Sequence, residues 1–111
     1  MSPLTTPPPH AYQRITTEYP ALVHAYEALG AAAHGAGPLD AKMRELVKIG
    51  IAIGAGLQSP VHAHVRLARE CGATPAEIHH VALLATTTLG FPAMMRAMAW
   101  VNDVLEPKAD R

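Results

Sequence analysis

Residues 40–57 read DAKMRELVKIGIAIGAGL, a segment with a polar beginning and an apolar remainder. Asp40 suits the N-cap position of a helix, because its carboxylate can accept a hydrogen bond from an amide of the first turn. After Leu46 the segment is apolar on nearly every side except at Lys48, and it lacks the alternation of a strand. We therefore predict a central, buried helix from Asp40 to about Gly54.

Start and stop signals on both sides of this segment predict four further helices. Proline or a capping side chain marks each start, with Ser59 read as an N-cap before Pro60, and glycine marks most of the ends. Thr74, Pro75 and Glu77 form a capping box, which is the sharpest of these boundaries. The predicted fold class is all-α, a compact bundle of about five helices at 20–33, 40–54, 59–72, 74–89 and 92–105.

The first nine residues differ in character from the rest. They contain Pro3, Pro7, Pro8 and Pro9, which favour extended backbone, so we interpret 1–9 as a flexible arm and 10–111 as a single helical domain. The arm has neither the basic stretch nor the apolar run of a secretory signal, and the longest apolar stretch, 49–57, is too short to span a membrane. A single cysteine excludes an intrachain disulfide. The expected location is the cytoplasm, without a membrane partner.

The composition predicts self-association. Hydrophobic residues make up 50% of the chain and charged residues only 16%, below the roughly 25% usual for globular domains. Copies of the same chain commonly cover such an apolar surface. The net charge is zero and the nine Lys and Arg residues are scattered singly, which argues against a nucleic-acid partner.

Two side chains are candidates for acid/base chemistry. In the third predicted helix, His64 lies on the apolar face that Val61 and Val65 share, and in the central helix Glu45 lies at the edge of an apolar face. Burying a carboxylate without a partner costs several kcal/mol. A Glu45–His64 pair satisfies both groups, and we predict it as the catalytic pair.

Further polar candidates surround this pair. His79 and His80 are adjacent and about 100° apart on a helix, so at most one of them faces a given pocket. His80 shares its face with Thr87, and His62 stands next to the inward-facing His64 on its helix. We predict His80, Thr87 and His62 as substrate-binding residues.

Four groups of residues together resemble the carboxymuconolactone decarboxylase and alkylhydroperoxidase D superfamily. They are LDAKMREL at 39–46, His64, GATPAEI at 72–78 and GFPA at 90–93, and the resemblance covers about residues 20–105. It implies an all-α fold, assembly as a homotrimer or homohexamer, and a pocket presented by the helical hairpin around Gly56 and Leu57.

The peroxidase branch of this superfamily uses two cysteines three residues apart, a histidine four residues after the second and a glutamate one helix earlier. Here these positions are Leu57, Pro60, His64 and Glu45. Because a thiolate is the nucleophile of that branch, the chain is predicted not to be a thiol peroxidase. The decarboxylase branch, which acts on a lactone acid from aromatic catabolism, also lacks the dithiol and keeps the Glu and His. The resemblance therefore implies a cofactor-independent, non-redox lyase or isomerase on a small organic acid or lactone, with Leu57 beside the substrate.

An alternative involves a divalent metal. His80 stands where many relatives carry an acidic residue, so Glu45, His64 and His80 are candidate ligands, since imidazole and carboxylate suit zinc, iron or manganese. The alternative function is a non-catalytic protein that binds a metal or small ligand in a Glu/His pocket without redox thiols.

Overall fold

The computed structural model of the chain describes residues 10–107. The all-α class is confirmed, since these residues form six helices and no strand. The predicted number of about five is wrong by one, because α1, which holds no buried residue, was not predicted. The predicted arm at 1–9 lies outside the described residues. The helices are α1 His10–Glu18, α2 Pro20–His34, α3 Ala41–Ala55, α4 Gln58–Glu70, α5 Pro75–Thr88 and α6 Phe91–Leu105.

The described residues fall into two compact units that divide between Leu39 and Asp40. The first contains α1 and α2, which meet at Tyr19. Pro20 takes the first position of α2, where its missing N–H is not needed. A hydrogen bond from the Tyr19 N–H to the Ile15 carbonyl (2.8 Å) closes the end of α1, and one from the Val23 N–H to the Tyr19 carbonyl (3.3 Å) opens α2. Val23 is the one buried residue of these two helices.

The second unit contains α3 to α6 around one hydrophobic core. Each helix contributes at least one side chain that is fully buried, and burial of such a side chain is worth about 1.5–3 kcal/mol. Alanines between these side chains take up little volume where the helices pack together. The largest fully buried side chains are Ile49, Val61, Val65, Ile78 and Val101.

Two of the predicted helix starts are confirmed. The Asp40 Oδ1 accepts a hydrogen bond from the Met43 N–H at 2.9 Å. The Thr74 hydroxyl accepts from the Glu77 N–H at 3.1 Å, and the Glu77 carboxylate accepts from the Thr74 N–H at 2.9 Å, which completes the capping box. These bonds fix where α3 and α5 begin.

The predicted start of α4 at Ser59 is wrong. Gly56 ends α3 with a left-handed conformation, φ 70°, and the chain re-enters a helix immediately, with Leu57 as the N-cap residue. The Val61 N–H already donates to the Leu57 carbonyl at 3.1 Å. Because this turn is so short, α4 begins at Gln58 without a side-chain cap.

Replacing Thr74 by Ala is expected to lower the free energy of unfolding by about 1 kcal/mol, because the Glu77 N–H loses its side-chain acceptor. Urea unfolding followed by circular dichroism measures the change. Thr74→Ser keeps the hydroxyl and is expected to stay close to the parent. Equal losses in both variants would show that the cap bond does not stabilise α5.

Candidate functional site

Glu45 and His64 form a direct pair between α3 and α4. The Nδ1 atom of His64 lies 2.7 Å from the Oε1 atom of Glu45. The tight turn at Gly56 places α4 alongside α3, and the Leu57 N–H donates to the Ala52 carbonyl at 3.0 Å within that turn. The geometry therefore brings together the two residues that were predicted as a catalytic pair.

The two members of the pair differ in their access to solvent. Glu45 is 5% exposed and is the one buried charged residue in the described part of the chain, whereas the His64 side chain keeps 23% of its surface exposed. A carboxylate can only accept a hydrogen bond, so His64 donates to Glu45 through Nδ1–H. The second ring nitrogen, Nε2, is then left to accept or donate a proton. The buried carboxylate thus orients an imidazole that a ligand can reach.

A cleft of about 590 Å³ lies between α3 and α5 and does not include the Glu45–His64 pair. Its walls are mostly apolar, and Glu77, His80 and Thr88 add polar groups. A pocket at the hairpin around Gly56 and Leu57 was predicted, but neither residue lines this cleft. The apolar and glycine residues that line it are Met43, Leu46, Val47, Gly50, Ile53, Gly54, Val81, Leu84, Ala85 and Leu89.

The structure separates the four residues that were predicted to bind substrate. His80 lines the cleft, whereas Thr87 does not and its neighbour Thr88 does. Leu57 is half exposed at the beginning of α4. His62 lies on α4 with its Nε2 atom 2.9 Å from the Asp103 carboxylate of α6. Of these four residues, His80 is the one that lines the cleft.

Residues 20–103 match the sequence profile described as the carboxymuconolactone decarboxylase family. The chain belongs to this family. It is also 40% identical over 54 residues to an uncharacterized protein of Haemophilus influenzae, a match that covers 49% of this chain and 48% of that protein. The chain thus spans about half the length of the curated relative it matches. No solved structure was found to match it.

The carboxymuconolactone decarboxylase family match covers both members of the pair and the whole cleft. Glu77, which lines the cleft, forms an ion pair with Lys42, whose ammonium group is 3.0 Å from its carboxylate. The bond from the Thr74 backbone N–H, with a further bond from Lys42, holds the pKa of Glu77 below its ordinary value. Because the pKa of Glu77 is lower in the folded than in the unfolded protein, ionised Glu77 stabilises the fold at a pH above its ordinary pKa. This stabilisation is lost as the pH falls through the lowered pKa.

Metal binding by the predicted set finds no support in the geometry. Within residues 10–107, no three His, Cys, Asp or Glu side chains are grouped so that they could hold a metal ion. Glu45 and His64 are in contact, but His80 belongs to the cleft on α5 and does not complete a ligand set with them. The residues that are present therefore do not fit the divalent metal site proposed from the sequence.

Several neighbours of the site were not predicted. The His79 Nε2 atom lies 2.7 Å from the Asn102 Oδ1 atom of α6, which explains why His80 and not His79 faces the cleft. The Arg96 guanidinium stacks over the Trp100 ring at 4.9 Å from its centroid and packs against Gly56. The contacts between His79 and Asn102 and between Arg96 and Gly56 join residues far apart in sequence, and no local signal identifies them.

Glycines on α3 carry a signal that could have located the cleft. Gly50 and Gly54 are one turn apart on an otherwise apolar helix, and both line the cleft. A Cβ atom at Gly54 would meet nothing within 4 Å.

No helix in the described ranges has the length and apolar character needed to cross a bilayer.

Proposed function

We propose that this protein is a cysteine-independent acid/base enzyme, a lyase or isomerase that acts on a small organic acid or lactone. The observation that carries the proposal is the 2.7 Å contact between His64 and the buried Glu45. The match to the carboxymuconolactone decarboxylase family also supports this proposal. Leu57 and Pro60, at the positions that the resemblance assigns to the peroxidase thiols, argue against a dithiol route.

In this proposal His64 is the catalytic residue and Glu45 is a positioning residue. Loss of CO2 from a carboxylated lactone breaks the bond between the carboxyl carbon and the ring, and the electron pair stays on the ring skeleton. The imidazolium of His64 delivers a proton from Nε2 to that skeleton, and Glu45 stabilises the positive charge through Nδ1–H. An isomerase would use the same nitrogen to remove a proton from one carbon and return it to another.

The experiment that tests the proposal is turnover of carboxymuconolactone and related carboxylated lactones by the purified chain. CO2 release reports decarboxylation, and proton exchange with deuterated water, followed by NMR, reports isomerisation. Activity that depends on His64 supports the proposal. If every lactone and organic acid in the panel is left unchanged and unlabelled, the enzymatic assignment is wrong.

A second candidate function rests on a different observation, the cleft between α3 and α5. Its volume of about 590 Å³ lies within the roughly 300–1,000 Å³ usual for small-molecule sites. Both Glu77 oxygens accept hydrogen bonds from Thr74 and Lys42. In this candidate function we assign to His80 the N–H that meets the ligand's polar group, with the ligand's apolar body over Gly50 and Gly54. We propose this as a binding site for an apolar small molecule that carries an acidic group.

Replacing Gly54 by Leu is expected to weaken ligand binding in the cleft by at least about tenfold, because the new side chain enters open space on the cleft floor. Fluorescence titration with anilinonaphthalene sulfonate, an apolar acid, measures the affinity. The fold is expected to be no less stable than the parent, since Leu is the better helix former by several tenths of a kcal/mol.

Gly30→Leu is the matched control for this titration. It makes the same change within α2, also where a Cβ atom meets nothing within 4 Å, and it leaves the cleft residues unaltered. We expect parent-like affinity from it. Equal weakening in both variants, or none in Gly54→Leu, would contradict a ligand site in the cleft.

A further inference from the structure

The chain contains three tyrosines, and they are spaced seven residues apart. Each is followed three residues later by an aliphatic residue, so that large apolar side chains recur at alternating intervals of three and four. In sequence this is the a/d pattern of helices that pair with one another, and the structure divides it between α1 and α2 at Tyr19, whose backbone is not helical (φ −134°, ψ 61°). We call these six residues the heptad stripe: Tyr12, Ile15, Tyr19, Leu22, Tyr26 and Leu29.

All six side chains of the heptad stripe are exposed. On α2 and at its N-cap the exposed fractions are large: 58% for Tyr19, 63% for Leu22, 66% for Tyr26 and 67% for Leu29. Val23, the one buried residue of α2, borders the stripe but does not belong to it. A face with this much apolar surface is unfavourable in water and is typical of an interaction site.

We propose that the heptad stripe is the surface through which two copies of this chain associate, stripe against stripe, across a twofold axis. We infer a second copy as the occupant, because Leu22, Tyr26 and Leu29 lie four and three residues apart on one face of α2 and a second copy supplies a matching face. Charge does not oppose the contact. Between Tyr19 and Leu29 the sequence has one histidine, His24, and one charged residue, Glu27, and neither belongs to the stripe.

The size of the surface agrees with a specific contact. Each of four residues from Tyr19 to Leu29 has more than half of its surface exposed. Covering them on two copies removes on the order of 1,000 Å², the lower limit for a specific protein interface. Tyrosine is also enriched among the residues that carry most of the binding energy in interfaces.

A twofold contact distinguishes between the two assemblies that the family resemblance implies. A homotrimer with threefold symmetry alone contains no twofold axis, whereas a hexamer with dihedral symmetry contains both kinds. Pairing through the heptad stripe therefore fits a dimer or a homohexamer and is incompatible with an isolated homotrimer.

Sedimentation equilibrium of the full chain tests the proposal. The parent is expected to have an even multiple of the 11.8 kDa chain mass. Replacing Leu22 and Leu29 together by Lys is expected to halve that mass and to weaken association at least roughly 30-fold, since buried charges replace apolar anchors at the centre of the contact. Leu22→Met with Leu29→Met keeps the apolar volume and is expected to retain the parent mass.

The matched control is Ala28→Lys with Ala31→Lys, which adds the same charge to α2 outside the heptad stripe. It is expected to leave the mass unchanged. If circular dichroism shows that the stripe lysines unfold the helix, Leu29→Ala replaces them, because alanine is the best helix former and still removes an anchor. A monomeric or trimeric parent would overturn the proposal. So would a mass that changes equally with both lysine pairs, or one that changes with neither pair.

Discussion

Replacing His64 by Gln is expected to lower kcat/KM for a carboxylated lactone by about 10²- to 10⁴-fold, the range that one general acid or base contributes. Gln can still donate a hydrogen bond to the buried Glu45, so the carboxylate keeps a partner and the fold is preserved. Its amide is neither an effective acid nor an effective base near neutral pH, and so the chemical step loses its proton donor.

Two further variants make this measurement specific. Glu45→Gln keeps a hydrogen-bond acceptor beside Nδ1 but removes the negative charge, so we expect a smaller loss together with a changed pH profile of kcat/KM. His79→Gln replaces a histidine that is bonded to Asn102 outside the pair, and it is expected to retain parent turnover. Equal activity of His64→Gln and the parent would remove His64 from the mechanism.

Replacing Ile49 by Ala is expected to lower the free energy of unfolding by about 2–5 kcal/mol, because the removed atoms leave a cavity where packing is complete. Ile49 is 0% exposed and lies one turn after Glu45 on α3. Its loss is therefore expected to loosen the backbone that holds the carboxylate. Urea unfolding followed by circular dichroism measures the change.

Ile51 provides a control within the same helix. Its side chain is exposed, so Ile51→Ala makes the same chemical change outside the core and is expected to alter the free energy of unfolding by no more than about 0.5 kcal/mol. If both variants lose the same free energy, the description of the core around Ile49 is wrong.

Local signals were sufficient where a side chain bonds to its own helix. Asp40 and Thr74 were recognised from residue type and position, and both make the expected cap bonds. The Glu45–His64 pair was predicted because a buried carboxylate needs a partner and because the family resemblance placed both positions. These inferences require only contacts within one helix or between two that a short turn joins.

Other features depend on packing between distant segments, which periodicity does not specify. The start of α4 was misplaced because the left-handed Gly56 lets one helix follow another without a side-chain cap. The cleft between α3 and α5 was missed because its walls come from two helices that α4 separates in sequence. The partner of His62, Asp103, is 41 residues away, and no local pattern predicts such a pair.

The turn at Gly56 also bears on the order in which the molecule takes shape. Only 19 residues separate Glu45 from His64, and both lie in helices that this single turn joins. The entropy lost on closing a loop grows with its length, so this contact costs less than those between α3 and the later helices. During synthesis, both halves of the pair have emerged once α4 is complete, before α5 and α6 are available to enclose the core. Both members of the Glu45–His64 pair are thus encoded in one short segment, and their contact can form before the rest of the core is available.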